Sequence, residues 1–325
     1  MSHIFDMQDC DYATVADTTG FDPARLGNDD ADQHFAILDR SDHVQARCSI
    51  WWRNTPGVDG LRGGAIGHYA ANSPEHAAPL LKHACRQLRA NGCDIAIGPL
   101  DGCTWRRYRF ITERGSARRF FLEPDNDDAW PLQFQASGFT ELAHYVSEIN
   151  PDIRNRQPEL GDIARRMREF GVSVEPADRE DFMADLEAIH AVACRSFRDS
   201  FLYTPLDFTS YRTMYEPLLT QIEPRLLLLA RHEDRVVGFI FGPQDALQPA
   251  PTDTIVIKTV AILPEPQYRG LGRLLITELL QNAATLGYRK AISALMHSQN
   301  SSQRISSEFA GPMRRYAIYG RRLQS

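Results

Sequence analysis

Residues 254–286 read TIVIKTVAILPEPQYRGLGRLLITELLQNAATL. The stretch opens on an apolar, β-branched run, Ile255, Val256, Ile257, Thr259, Val260 and Ile262, which predicts a buried strand. Pro264 and Pro266 end the run, Gln267-Tyr268-Arg269-Gly270-Leu271-Gly272 follows, and Leu274, Leu275, Leu279 and Leu280 then recur at helical spacing. A strand, a glycine-containing turn and a helix start leave several backbone N–H groups unpaired and aimed at one point. The positive end of the helix dipole adds to them. An anion, most naturally a phosphate, fits such a nest. Gly270 and Gly272 let the backbone approach a ligand closely, or turn with positive φ. The bland alternative is a tight connection in an ordinary α/β domain. The dinucleotide fingerprint G-x-G-x-x-G is not met, because Leu275 stands where its third glycine belongs.

A chain of 325 residues is long enough for two domains with separate cores. With 43% hydrophobic and 24% charged residues it reads as a soluble globular protein. A net charge of −6 argues against nucleic acid as the main partner, since phosphates call for a basic surface. No apolar run reaches membrane-spanning length, and the acidic first residues hold no signal-peptide core, so a cytoplasmic location is expected and no membrane partner. The six cysteines, Cys10, Cys48, Cys85, Cys93, Cys103 and Cys194, have the spacing of neither a zinc site nor a disulfide framework. Free thiols and no metal are expected.

The hexapeptide Gln267 to Gly272 resembles the Gln/Arg-x-x-Gly-x-Gly/Ala loop of the GNAT (GCN5-related N-acetyltransferase) superfamily, and Pro264-Glu265 stands at the family's usual distance before it. The resemblance implies an α/β fold of mixed, mostly antiparallel sheet flanked by helices, with acetyl-CoA or another acyl-CoA as cosubstrate. It further implies that the loop, Gln267, Tyr268, Arg269, Gly270, Leu271, Gly272 and Arg273, grips the pyrophosphate, while the strand edge at Val260, Ala261 and Ile262 bonds the pantetheine arm. Downstream, Asn300 and Gly311 match family positions flanking a helix along the pantetheine, but the tyrosine that commonly protonates the departing thiolate is replaced by Ser307. Ser307 keeps a hydroxyl without the reach, and Tyr316 and Tyr319 on the closing strand are substitutes.

Taken in order, residues 1–33 read as an irregular arm and residues 34–150 as a hairpin, strand, helix and strand in the same order as the second half. Ser73-Pro74-Glu75 is a helix start. Residues 151–171 read as a linker and short basic helix, and residues 172–325 as the acyl-CoA-binding domain. The first half therefore looks like a degenerate GNAT domain in tandem with the second. At the equivalent turn it reads Ala71-Asn72-Ser73-Pro74-Glu75-His76, where Pro74 removes a donor and Glu75 repels a pyrophosphate, so no second acyl-CoA site is expected. Between Gly98 and Pro124, Trp105, Tyr108, Arg109 and Glu123 are candidates for an acceptor-facing lining, aromatics for shape and the two charged residues for polarity. The competing reading is an amphipathic strand with solvated arginines.

The implied reaction is aminolysis of a thioester by a small-molecule amine. The amine must be neutral to attack, so a proton acceptor is needed, and a strand N–H near Ala261 or Ile262 would stabilise the oxyanion. His297 is the candidate base. Lys258 could serve only with a strongly depressed pKa. The alternatives are an acyl-CoA-binding protein without turnover and an aminoacyl-tRNA-dependent transferase, the latter disfavoured by the acidic charge and the intact loop. The sequence leaves the oligomeric state open.

Overall fold

The computed structural model describes residues 4–6, 12, 15, 17, 19–178, 182–219 and 222–324. The first half runs β1 (Ile4–Asp6), α1 (Arg25–Asn28), β2 (Gln33–Leu38), β3 (Val44–Trp51), β4 (Gly63–Ala71), α2 (Pro74–Ala90), β5 (Ile95–Gly98), β6 (Phe110–Glu113), α3 (Ala129–Ala136) and β7 (Thr140–Asn150). Helix α2 buries Ala77, Leu80, Leu81, Ala84 and Leu88, one face of the 3.6-residue period. The arm expected to be irregular supplies α1 and β1, which pairs Phe5 with Ala36 on the edge of β2.

The second half runs α4 (Ile163–Glu169), β8 (Val172–Pro176), α5 (Phe182–Ser196), α6 (Phe208–Leu219), β9 (Leu227–His232), β10 (Arg235–Phe241), β11 (Thr254–Ile257), β12 (Thr259–Ile262), α7 (Leu271–Thr285), β13 (Lys290–His297), α8 (Ser301–Ser306) and β14 (Gly311–Arg322). The strand expected as one piece over residues 254–262 is two. β11 runs parallel to β13, Ile257 opposite Ser293, whereas β12 is antiparallel to β10, Val260 opposite Ile240. Lys258 stands between them. Its N–H donates to Phe241 O at 2.9 Å while Thr259 is the register partner of Phe241, so two residues oppose one, as in a bulge. The extra residue bends the chain out of one sheet and into the other.

The larger sheet has ten strands in the order β1-β2-β3-β4-β5-β14-β7-β13-β11, with β6 also on β14, and the smaller has the order β12-β10-β9-β8. The two halves do not keep separate sheets. β14, the last strand of the second half, lies between β5 and β7 of the first, and β7 lies between β14 and β13 of the second. Each half's closing strand thus completes the other's sheet, with Tyr319 opposite Gly98 and Ile292 opposite Ile149.

Below this exchange sits a buried ion pair. Arg314 on β14 binds the Glu123 carboxylate, with side-chain exposures of 1% and 0%. Its Nε donates to Arg114 O at 2.7 Å, which ties the segment leading to Glu123 onto the strand. Tyr316 OH also donates to Glu123 and lies 3.0 Å from Ser147 Oγ. Cys48, Cys85, Cys93, Cys103 and Cys194 are free thiols, and Cys10 lies outside the described residues. No helix among the described residues is long and apolar enough to cross a membrane. Removing one partner of a buried pair strands the other charge, so Arg314→Met is expected to destabilise the fold by about 3–5 kcal/mol, read as a lower urea midpoint.

Candidate functional site

The glycine loop has the geometry its residues predict. Gly270 takes φ +93°, a left-handed conformation that L side chains rarely adopt, and caps α7. Among the described residues the backbone N–H groups of Gly270, Leu271 and Gly272 have no hydrogen-bond partner, whereas Arg269 N donates back to Pro266 O at 3.2 Å. A Cβ on Gly272 would lie 3.0 Å from Ile262 Cδ1, so the helix start packs as close to β12 as a glycine allows. Arg166 of α4 donates to Arg269 O and adds positive charge beside the loop. The side chains of Tyr268 and Leu271 are buried, and Tyr268 OH lies 3.0 Å from His232 Nδ1, which anchors the loop from below. Gln267 donates to Glu265 at 3.0 Å, and Arg273 pairs with Glu308.

Next to the loop, β12 has one free edge. Leu263 N donates to Val237 O at 2.9 Å and Ala261 opposes Phe239, so residues 259, 261 and 263 face β10. By alternation Val260 and Ile262 face away from it. Ile262 N–H is taken by Ser196 Oγ at 3.3 Å, which leaves Val260 N–H toward the cleft. Of the two donors expected near the reacting carbonyl, Ala261 is thereby turned into the sheet and Ile262 is occupied. The splay between β12 and the end of β13 opens a cavity of about 1870 Å³, lined by Val260, Ile262, Gly270, Gly272, Arg273 and Asn300 at one end.

The first half lines the other end, with Trp105, Tyr108, Arg109 and Glu123 all on its wall. Trp105 Nε1 donates to Thr204 O at 2.9 Å and its ring packs on Tyr211 at 5.8 Å, so it also clamps the two halves together. Arg109 is 6% exposed, and its guanidinium lies 3.6 Å from the Tyr108 ring centroid and 4.1 Å from that of Tyr145. Glu123 borders the cavity with its carboxylate already engaged by Arg314, Tyr316 and Phe120 N.

The three residues expected to move protons are not brought together. Tyr316 is fully buried and bonded to Glu123; burial, then that neighbouring carboxylate, pushes its hydroxyl well above the usual range. It is not on the cavity wall. Ser307 points outward and donates to Glu148 Oε1 at 2.9 Å; one residue earlier, Ser306 faces the cavity, 2% exposed, with an unpartnered hydroxyl. His297 does line the cavity, and burial, then Arg109 and His144, lowers its pKa. Its Nδ1 accepts from Gln299 N at 3.2 Å, so the neutral ring carries its proton on Nε2 and has no free lone pair to accept another.

Lys258, set aside on its ordinary pKa, is the residue the sequence undervalued. It lines the cavity at the bulge, and burial, then the charge of Arg109, lowers its pKa to about 7. A lysine inside an otherwise β-branched strand was the available signal.

The end of β4 in the first half is covered instead. At the end of β4, Trp130 Nε1 and Gln133 Nε2 of α3 donate to Ala71 O at 3.2 and 3.4 Å. Tyr69 packs edge-on against Phe134 and Trp130, with centroids 4.9 and 5.6 Å away. Protein side chains thus fill the space beside the strand end, and Pro74 and Glu75 occupy the first turn of α2.

A helix start with three free donors is thus set against a strand edge exposed by a split sheet. Residues 187–306 match the acetyltransferase (GNAT) family. The second half is therefore a GNAT domain, and the chain as a whole has a tandem GNAT fold. No curated protein sequence matches the chain. Among solved structures it resembles a GCN5-related glucosamine N-acetyltransferase region of a fungal multi-domain GH3 β-N-acetylglucosaminidase, at 14% identity and TM-score 0.57 over 99% of this chain and 38% of that one. It also resembles a GCN5-related N-acetyltransferase from Sphaerobacter thermophilus (13%, TM-score 0.50, covering 90% of this chain and 81% of that one). A third is a tandem GNAT protein from the clavulanic acid biosynthesis pathway (12%, TM-score 0.51, covering 90% and 83%). At such identities the likeness is one of fold.

The depressed Lys258 pKa has a thermodynamic consequence. Between about pH 7 and the ordinary lysine value the native state binds fewer protons than the unfolded chain, so stability rises with pH across that window. Below it the full cost of a charged Lys258 applies. Lys258→Met is expected to gain most stability over wild type at pH 6 and to lose that advantage toward pH 10.5, measured by urea unfolding at a series of pH values.

Proposed function

We propose that the chain is an acyl-CoA-dependent N-acyltransferase that moves an acetyl group from acetyl-CoA to the amine of a small molecule, by direct attack with both substrates bound. The observation that supports this best is the run of free N–H groups at Gly270, Leu271 and Gly272 beside the exposed Val260 edge, both opening on one cavity. The donors and the α7 dipole suit a pyrophosphate, with Arg269, Arg273 and Arg166 adding charge, and Val260 with Asn300 flanks the path of the arm. The bound thioester supplies the acyl group. Val260 N–H is the donor for the carbonyl oxygen as charge gathers on it. The acceptor nitrogen forms the new C–N bond as the C–S bond breaks; its proton leaves to solvent through the cavity, and the thiolate takes one up.

Burial and the Arg109 charge, which lower Lys258, act on a bound ammonium in the same direction, so part of the deprotonation is achieved by the environment. Ser306, with its free hydroxyl on the cavity wall, replaces Ser307 and Tyr316 as the proton donor to the thiolate. The first half closes the acceptor end through Trp105, Tyr108 and Arg109 and holds no acyl-CoA of its own. A second reading, acyl-CoA binding without turnover, is favoured by the absence of a tyrosine at position 307. Coenzyme A release from acetyl-CoA with a panel of amines decides between them.

Gly270→Glu adds a Cβ where φ is +93° and a like charge against the pyrophosphate. Acyl-CoA affinity is expected to fall at least about tenfold, about 1.4 kcal/mol, by calorimetry on the folded variant. Wild type should titrate at one acyl-CoA per chain, and a stoichiometry of two would contradict the single-cleft assignment. Ser306→Ala should lower kcat by about a hundredfold, the lower end for a lost proton donor. A similar loss in Ser307→Ala instead would return the role to Ser307.

A further inference from the structure

Most cations lining the cavity are either solvent-exposed, as Arg107, Arg166, Arg269 and Arg304 are, or paired with a carboxylate. Arg25 pairs with Asp29 and Asp101 at 2.9 and 2.7 Å, Arg106 with Asp29 at 3.3 Å, and Arg273 with Glu308. The cluster of Asp29, His68 and Asp101, where metal-ligating atoms also converge, is neutralised by those same arginines.

Two cations at the inner end are different. Arg109 is 6% exposed and has no ion-pair partner among the described residues; Nη1 donates to Leu295 O at 2.8 Å, and the buried Nε has no acceptor. The ammonium end of Lys258, on the wall of the same space, makes no hydrogen bond or ion pair among the described residues. The adjacent carboxylate, Glu123, is consumed by Arg314 and Tyr316. Two basic side chains therefore face one corner with no carboxylate bonded to either, and the tyrosine faces of Tyr108 and Tyr145 shelter the Arg109 charge without neutralising it. Such an arrangement is unfavourable in the free protein and becomes favourable when a ligand brings the missing negative charge. The edge of Arg109 left by the Leu295 bond, Nε with Nη2, matches a planar carboxylate in a two-point contact.

We propose that Arg109 and Lys258 form a carboxylate subsite at the inner end of the cavity, so that the acceptor is an amine that also carries a carboxylate, of the amino-acid type. This rests on the acyltransferase reading for the identity of the bound molecule. The subsite places the anionic end of the acceptor against the first half's loop and leaves the amine toward Val260. It also excludes polyamines, whose added positive charge would meet two cations.

The test has a kinetic and a binding arm. In the first, α-, β- and γ-amino acids and their amides are compared as acceptors with acetyl-CoA. Wild type is expected to favour the acid over the matching amide at least tenfold in kcat/KM. Lys258→Met and Arg109→Met should raise the acceptor KM tenfold or more with the KM for acetyl-CoA little changed. Lys258→Arg, which keeps the charge but cannot act as a base, should restore the preference. Acid and amide used equally would overturn the proposal. So would kcat lost in both Lys258→Met and Lys258→Arg at unchanged KM, since that pattern belongs to a proton-transfer role.

The second arm needs no turnover. Saturation-transfer NMR with CoA present compares N-acetylated amino acids with their amides, and the acid forms should bind at least tenfold tighter in wild type and in Lys258→Arg but not in Lys258→Met. Equal binding, or binding of neither, overturns the subsite. Acid-selective binding without coenzyme A release would instead support the subsite while removing the acyltransferase reading.

Discussion

The bulge at Lys258 is the constraint on which the rest depends. One extra residue opposite Phe241 makes a single run of chain serve two sheets, Ile257 still paired with Ser293 and Val260 already paired with Ile240. From that point the sheets diverge. The divergence strips β12 of a neighbour on one side, which frees the Val260 N–H, and it creates the volume that becomes the cavity. It also fixes where Lys258 must lie, at the apex of the split, where water is scarce and Arg109 is near. A continuous strand would have paired those same groups with one another and left no site.

The second constraint is the exchange of closing strands. β7 and β14 each complete the other half's sheet, so the first half is held rigidly against the cavity rather than tethered by a linker. Rigidity matters because the cavity wall from Trp105 to Arg109 is a loop, and a loop positions charge only when its surroundings are fixed. Trp105 bonds Thr204 O across the halves, and Arg314 binds Glu123 and the backbone of residue 114. In the first half, Tyr69, Trp130 and Phe134 pack together beside the end of β4.

The sequence by itself determined the loop, the helix after it, the extended run before it though not its division at Lys258, and the repeat of element order in the two halves. Each rests on local chemistry: proline ends a strand, glycine permits positive φ at residue 270, and leucines at helical spacing bury one face of α7. It also placed Pro74 and Glu75 at the start of α2, since a helix start of this kind is legible without neighbours. Only the tertiary structure decided that Ser306 rather than Ser307 faces the cavity, because a rotation of one helical residue is set by what α8 packs against. Only it decided that Tyr316 is spent on Glu123, that Arg109 and Lys258 have no ion-pair partner among the described residues, and that β7 and β14 change places. These are facts about which distant groups meet. A charge is paired or unpaired only once the chain has brought its neighbours to it, and no local pattern of residues carries that information.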